Sequence, residues 1–276
     1  MTRVTLLLLA LSSLALGSGP AEEKLDGPDS IYTRWLADIL IRWPASRPDS
    51  DGTEGLQLTC VATAADDRYV GMVQQMTVAA PLSSVEHVLD DVPHYRDLFP
   101  GVVDVRVLPG SRNGRQYVTV WEQRVPVFFL PNVTYELANI VDRPAPGMRV
   151  YRYKLRRAGS MLASDGMVVL ESLGSEETRF TEYDFFNAQW GPLPASAVWR
   201  ERLRGAFAAD IAIKLRAENP RWNIARVAAE AGRRLESESE RVELCYRQQR
   251  QPPMELRAAI DVASRLEARA ANPTAP

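Results

Sequence analysis

The segment VAAPLSSVEHVLDDVPHYRDLFPGVVDVRVL at residues 78–108 carries the strongest structural signal in this 276-residue chain. Ser83 and Glu86 have the spacing of a capping box, which predicts the start of a helix. The apolar positions of that helix recur at i, i+3 and i+4, at Val85, Val88 and Leu89. Pro93 and Pro100 interrupt regular helix further along. The segment therefore predicts a strand, a short helix, an irregular turn and a second strand.

Downstream, the sequence pattern between Val102 and Phe186 predicts a succession of short strands. Each strand is separated from the next by a turn that contains Gly or Pro, and no helical pattern intervenes. Consecutive strands without crossover helices predict an antiparallel meander. Several strands have one apolar face, as in the alternation of Tyr151, Tyr153 and Leu155 with Arg152 and Lys154. One face of the sheet is therefore expected to be covered and the other exposed to water.

The expected cover is a long helix at 194–219, with the sequence PASAVWRERLRGAFAADIAIKLRAEN. A projection at 100° per residue gives it an apolar side made of Trp199, Leu203, Ala206, Phe207 and Ile213. Asp210 falls inside that apolar side. Because buried carboxylates are usually paired, we expect Asp210 to form an ion pair with an arginine of the sheet. The alternative is that Asp210 lies in a polar-lined cavity.

Helical additions are predicted at both ends of this core. Residues 29–43 have an amphipathic pattern and are expected to pack on their own domain, with surface docking as the alternative. Residues 220–276 are rich in Ala, Arg and Glu around Pro252-Pro253, which predicts a helical extension that packs on the domain or on a partner. The predicted division of the chain is 1–17, signal peptide; 18–55, linker and N-terminal helix; 56–219, folded domain; 220–276, C-terminal extension.

The N-terminus has the pattern of a secretory signal. Arg3 precedes an apolar run from Val4 to Leu16, which closes with small residues at Ala15 and Gly17. The run is too short to span a bilayer comfortably, although a retained membrane anchor is the alternative. We therefore expect a periplasmic or secreted protein with a cleaved signal peptide.

Composition excludes several classes of function. The 33 basic and 35 acidic residues give a formal charge of −2, which does not favour nucleic acid as a partner. With two histidines and two cysteines, the chain has little material for a histidine-based triad or a zinc site, and we expect no metal and no cofactor. In an oxidising compartment Cys60 and Cys245 could form one disulfide, or each could be a small buried hydrophobe.

The order of elements, together with residues 78–108, resembles the START-like (SRPBCC) helix-grip superfamily, specifically its polyketide-cyclase/dehydrase and coenzyme-Q-binding branch. The matching features are Asp90 or Asp91, Tyr95 and the Phe99-Pro100 step before the next strand. The resemblance covers roughly residues 68–219 and includes no invariant catalytic signature. It implies an α+β fold in which a curved antiparallel sheet wraps around the long C-terminal helix.

The resemblance also implies a cavity between sheet and helix for a lipid, an isoprenoid quinone or a polyketide. A one-sided apolar sheet facing an amphipathic helix is consistent with such a pocket. The candidate ligand-binding residues are Tyr95, Phe99, Trp121, Tyr135, Tyr151, Tyr153, Trp199, Leu203, Phe207 and Asp210. For each aromatic residue, ordinary core packing is the alternative.

Three functions are compatible with the sequence. The scarcity of histidine and cysteine favours a non-catalytic protein that binds a hydrophobic small molecule. Transfer of that molecule is an extension of the same hypothesis. The second is a cyclase or hydrolase that uses Asp210, Asp184, Tyr153 or His94 in the same pocket, with His94 at its expected rim beside Tyr95. The third is an interaction protein whose helical tail docks a protein partner. Transient contact with a membrane is a further open alternative.

Overall fold

The computed structural model describes residues 57–62, 70–125, 127, 130–158, 161–188, 193–240 and 242–243. The predicted signal segment, the helix predicted at 29–43, the pairing of Cys60 with Cys245 and the tail beyond residue 243 lie outside what is described. No helix within the described ranges is long and apolar enough to cross a membrane.

The described chain contains eight strands and four α-helices. In chain order they are β1 Gln57–Ala62, β2 Val70–Val78, α1 Leu82–Asp90, a 3-10 turn Val92–His94, α2 Tyr95–Leu98, β3 Val102–Val107, β4 Gln116–Gln123, β5 Val133–Asp142, β6 Met148–Ala158, β7 Met161–Ser172, β8 Thr178–Ala188, α3 Ala195–Glu218 and α4 Ile224–Ser237.

All eight strands form one antiparallel sheet in the order β1-β2-β8-β7-β6-β5-β4-β3. Strands β3 to β8 pair with their sequence neighbours, so the predicted meander is confirmed. Strand β2 then pairs with β8, with Gln74 opposite Glu182 and Met76 opposite Phe180. The curved sheet and the long helix α3 form the α+β helix-grip architecture expected from the sequence.

The core lies between the inner face of the sheet and α3. Met76, Leu170 and Phe180 lie side by side in register on β2, β7 and β8. They belong to the same buried cluster as Leu203 and Phe207 of α3. Phe180, Leu203 and Phe207 have no exposed surface, so this contact excludes water completely. Burying side chains of this size contributes roughly 1.5–3 kcal/mol each.

Helix α1 is held against the sheet by a charged contact and not by a capping box. The helix begins at Leu82, with Pro81 as its N-cap and no side-chain cap, so the predicted role of Ser83 is wrong. Glu86 instead accepts a hydrogen bond from Arg149 of β6. This pair ties α1 to the meander and fixes the segment that follows it.

The first helix of the C-terminal extension packs on the folded domain. Helix α4 begins at Asn223, whose Oδ1 accepts a hydrogen bond of 2.8 Å from the backbone N–H of Arg226. Val227 and Ala231 are fully buried in the same core cluster as α3. This face of α4 is therefore occupied by the chain's own core.

Candidate functional site

A cavity of about 180 Å³ lies between the inner face of the sheet and α3. The segment from Leu89 to Val102 contributes part of its wall, through Tyr95, Phe99 and Pro100. Strands β4 to β8 contribute the floor, and α3 contributes the side that faces them. The cavity is thus bordered by the 89–102 segment, the sheet and α3.

Small residues on α3 create the space. Gly205, Ala206 and Ala209 line the cavity from α3, with Ala209 about one turn after the adjacent pair Gly205 and Ala206. Larger side chains at these positions would fill the gap between helix and sheet. The apolar stripe of α3 therefore has two parts: a small-residue part that borders the cavity and a large-residue part that packs in the core.

Aromatic rings form much of the cavity wall. The rings of Trp121 and Tyr135 are parallel to within 2°, with centroids 6.2 Å apart. Tyr95 extends this group, with its ring centroid 4.6 Å from that of Phe99 and 5.8 Å from that of Trp121. The Tyr95 hydroxyl donates to the backbone carbonyl of Leu89, which fixes the ring in the wall.

A buried ion pair lies in the same cavity. Arg202 of α3 approaches Asp184 of β8, with 3.4 Å between Nη2 and Oδ2. Asp184 also accepts a hydrogen bond of 3.0 Å from the Tyr153 hydroxyl. Arg202 donates a second hydrogen bond, of 3.2 Å, to Gln123 Oε1. The pair is therefore embedded in hydrogen bonds from three strands, which is the arrangement that a buried pair needs.

Two further acids, Glu182 of β8 and Asp210 of α3, complete what we call the carboxyl cluster: Glu182, Asp184 and Asp210. Asp210 is 1% exposed and forms a hydrogen bond with Glu182. Gln74 Nε2 donates to Glu182 over 3.3 Å. The expected ion pair of Asp210 with a sheet arginine is wrong, because the arginine of the cavity comes from α3 itself and pairs with Asp184.

Burial changes the pKa of each acid in this cluster. Loss of hydration, reinforced by the charge of Asp184, raises the pKa of Glu182 to about 8. Burial and the charge of Glu182 raise the pKa of Asp210 well above its ordinary value. Burial also raises the pKa of Asp184, although Arg202 and Tyr153 oppose that effect. Burial therefore favours the protonated, neutral forms of Glu182 and Asp210.

Some buried polar atoms of the cavity lining form no hydrogen bond with the described residues. Ser164 Oγ and Asp210 Oδ2 are buried and have no hydrogen-bond partner among the described residues. Both residues line the cavity. Since buried polar groups are almost always satisfied, these atoms indicate where a bound molecule could make polar contacts.

The described residues contain no group of three His, Cys, Asp or Glu side chains arranged to hold a metal ion.

Solved structures with similar folds identify the architecture. A fragment of a STAR-related lipid transfer protein from Xanthomonas axonopodis matches with a TM-score of 0.51 and 14% identity, over 61% of this chain and 96% of that one. Human STARD10 matches with a TM-score of 0.50 and 12% identity, over 70% and 76%. This chain has the START-like helix-grip fold. The ZhuI aromatase/cyclase from Streptomyces is 25% identical over 60% of this chain and 96% of that one, with a TM-score of 0.41. No family model matches the sequence, and no curated protein matches it.

The START-like cavity brings together most of the residues that the sequence proposed. Seven of the ten candidates line it: Tyr95, Phe99, Trp121, Tyr135, Tyr151, Tyr153 and Asp210. Trp199, Leu203 and Phe207 do not. They lie on the same helix as Asp210, but their side chains pack in the buried hydrophobic core. Asp184, proposed for the enzymatic alternative, is in the cavity beside Tyr153.

His94 was expected at the rim of the cavity and does not contribute to it. Its side chain is 52% exposed, and its Nδ1 lies 2.6 Å from Asp91 Oδ1. Tyr95 points into the START-like cavity while its neighbour His94 faces solvent, because adjacent helical residues lie on different faces. His87 is exposed on α1.

Sequence reasoning missed Arg202, Glu182 and Gln74. One signal was available for Glu182, because Phe180, Glu182 and Asp184 alternate along β8 and so share one face. Two acids on the face that also carries a buried phenylalanine indicate a polar interior. Arg202 gave no comparable signal, since its helix carries several arginines that face solvent.

Gly166 of β7 makes room for the ring of Tyr153, its neighbour on β6. A Cβ at this position would lie 2.3 Å from Tyr153 Oη and 2.4 Å from the backbone oxygen of Tyr183. We expect Gly166→Ala to lower the free energy of unfolding by about 1–3 kcal/mol, measured by urea denaturation. Gly174→Ala is the control, because a Cβ there meets nothing within 4 Å. Equal stabilities of the two variants would contradict this prediction.

Proposed function

We propose that this is an exported START-like protein that binds a hydrophobic small molecule in the cavity between its sheet and α3 and acts as a carrier. The observation that carries the proposal is the cavity itself, in which Trp121, Tyr135 and Tyr95 present an apolar wall beside a small set of polar groups. Ligand sites in proteins typically combine such a wall with a few polar side chains that orient the ligand. Export rests on the signal pattern of residues 1–17.

The size of the cavity limits the ligand. A cavity of roughly 150 Å³ lined by apolar side chains holds one benzene molecule. At about 180 Å³, the cavity fits one ring system or a comparable length of alkyl chain. A complete lipid, quinone or polyketide would require the wall formed by 89–102 to move away from α3. The fold neighbours named as lipid transfer proteins keep lipid among the ligand classes.

Filling the cavity tests the proposal. Ala209 borders the cavity from α3, and a tryptophan there would occupy most of the space. We expect Ala209→Trp to reduce the co-purifying hydrophobic ligand at least about tenfold, because a close-packed interior leaves no room for it. The ligand is measured per mole of protein by organic extraction and mass spectrometry.

Ala229→Trp is the matched control, because Ala229 is exposed on α4 and far from the cavity lining. It should retain the wild-type amount of ligand, and circular dichroism checks that both variants are folded. Equal ligand content in Ala209→Trp and wild type would contradict binding at this site.

One observation favours an enzyme as the second candidate. Asp210, Glu182 and Tyr153 meet in the cavity, and burial raises the pKa of both carboxyl groups, which favours their protonated forms. Groups of this kind can donate or accept a proton during a reaction. Incubation of the extracted ligand with the protein distinguishes the two functions: a carrier returns the ligand unchanged, whereas a cyclase or hydrolase returns a product that differs in chromatographic retention or in mass.

A further inference from the structure

The charged groups of the cavity do not balance. Its described lining contains three carboxyl groups, those of Glu182, Asp184 and Asp210, and one cation, Arg202. Arg202 is engaged by Asp184 over 3.4 Å and by Gln123 over 3.2 Å. Glu182 and Asp210 therefore have no cation of their own within the described lining.

The groups that face this acid pair cannot supply the missing charge. Gln74 faces Glu182 from β2, and Tyr153 and Tyr135 lie nearby on β6 and β5. All three are neutral, and the remaining charged neighbours are the carboxylate of Asp184 and the guanidinium of Arg202, which lowers the pKa of Glu182 but is paired with Asp184. A buried charge without a partner is strongly unfavourable, so the acid pair must hold protons or bind a cation.

The cavity offers a cation a second source of stabilisation. The rings of Trp121 and Tyr135 are part of the same lining and are stacked parallel to each other. The faces of such rings attract ammonium groups, more strongly in a site shielded from water. For an anionic ligand, the described lining offers one guanidinium, that of Arg202, which Asp184 and Gln123 already contact.

We propose that the cavity selects an apolar molecule that carries one protonated amine, with the ammonium bound by Asp210 and Glu182 and the apolar body against the remaining apolar lining. The inference deepens the proposed function and rests on it. Asp210 Oδ2 and Ser164 Oγ, both buried in the lining without a partner, accept from the ammonium N–H groups. The incoming cation takes the place of a proton, which is released to solvent.

Three probes with the same phenyl ring test the selectivity: 2-phenylethylamine, 2-phenylethanol and phenylacetate. Each fits a cavity of about 180 Å³, and they differ in carrying a cation, a neutral hydroxyl or an anion. We expect isothermal titration calorimetry at pH 7 to show that the amine binds at least about tenfold more tightly than the alcohol, which equals about 1.4 kcal/mol. Titration in two buffers of different ionisation enthalpy should show close to one proton released per amine.

Variants assign the effect to the acid pair. Asp210→Asn and Glu182→Gln should each reduce the preference for amine over alcohol to less than about threefold, since the preference arises from the carboxyl charge. Asp97→Asn is the control, because this carboxyl group is 52% exposed and pairs with Arg96 at the surface.

Two results would overturn the inference. The first is an alcohol that binds as tightly as the amine; the second is a preference that survives in both acid variants. Binding of the alcohol without amine preference would leave the proposed apolar site standing and remove only its amine selectivity. Failure of all three probes to bind would overturn the proposed function and this inference together.

Discussion

Replacing Arg202 by methionine is expected to lower the free energy of unfolding by about 3–5 kcal/mol at pH 7. The side chain of Arg202 is 14% exposed and that of Asp184 is 3% exposed, so water cannot compensate the carboxylate once the guanidinium is gone. Burial lowers the pKa of Arg202, but the neighbouring charge of Asp184 outweighs this effect and raises it. The arginine therefore stays charged at every accessible pH.

Urea denaturation at two pH values measures this effect. The loss should be smaller at pH 5 than at pH 7, because burial raises the pKa of Asp184 and an unpaired Asp184 can take a proton instead. Arg204→Met is the control on the same helix, since Arg204 does not line the cavity. The double variant Arg202→Met/Asp184→Asn should recover much of the loss, because no buried charge remains.

A stability of Arg202→Met within about 1 kcal/mol of wild type at pH 7 would contradict the buried pair, since exposed pairs contribute that little. An equal loss in Arg204→Met would show that the effect arises from the helix and not from the pair.

The stability of the wild-type protein is expected to fall as the pH rises from about 5 to 8. The pKa of Glu182 is raised from 4.5 to about 8 by burial and by Asp184. Between these values the folded protein holds a proton that the unfolded chain has released, so higher pH favours unfolding. One proton corresponds to at most about 1.4 kcal/mol per pH unit. The raised pKa of Asp210 acts in the same direction.

Glu182→Gln isolates the contribution of this residue. The amide cannot ionise, so the variant should show a shallower dependence of unfolding free energy on pH and should be more stable than wild type at pH 8. Glu177→Gln is the control, because Glu177 is exposed in the turn before β8. A wild-type stability that rises between pH 5 and 8, or an unchanged slope in Glu182→Gln, would contradict this prediction.

The parts of the fold that follow local patterns could be predicted from the sequence. Alternation in residues 102–186 predicted the strands and the absence of crossover helices predicted their antiparallel order. The period of residues 194–219 predicted α3 and placed Ala206 on its inner side. These features depend on neighbours in sequence, which a pattern can report.

The site was predicted less completely, because its contacts join distant residues. Asp210 was recognised as unusual from its place in an apolar stripe, but its partner Glu182 lies on another element, and the helical projection gave no information about it. The same projection could not separate Ala206, which borders the cavity, from Phe207, which packs in the core. A shift of one residue along a helix changes the direction of a side chain by 100°, and both directions here are buried.

The pairing of β2 with β8 also has a consequence for the order in which the molecule folds. Gln74 and Glu182 meet across 108 positions, whereas β3 to β8 pair with their immediate neighbours. Closing so long a loop is entropically unfavourable until the intervening hairpins have formed. The strand that carries Glu182 and Asp184 joins the meander to the start of the chain, and we expect this long-range pairing with β2 to form after the local hairpins. Gln74 can contact Glu182 only after this closure, so we expect the polar side of the cavity to be completed late in folding.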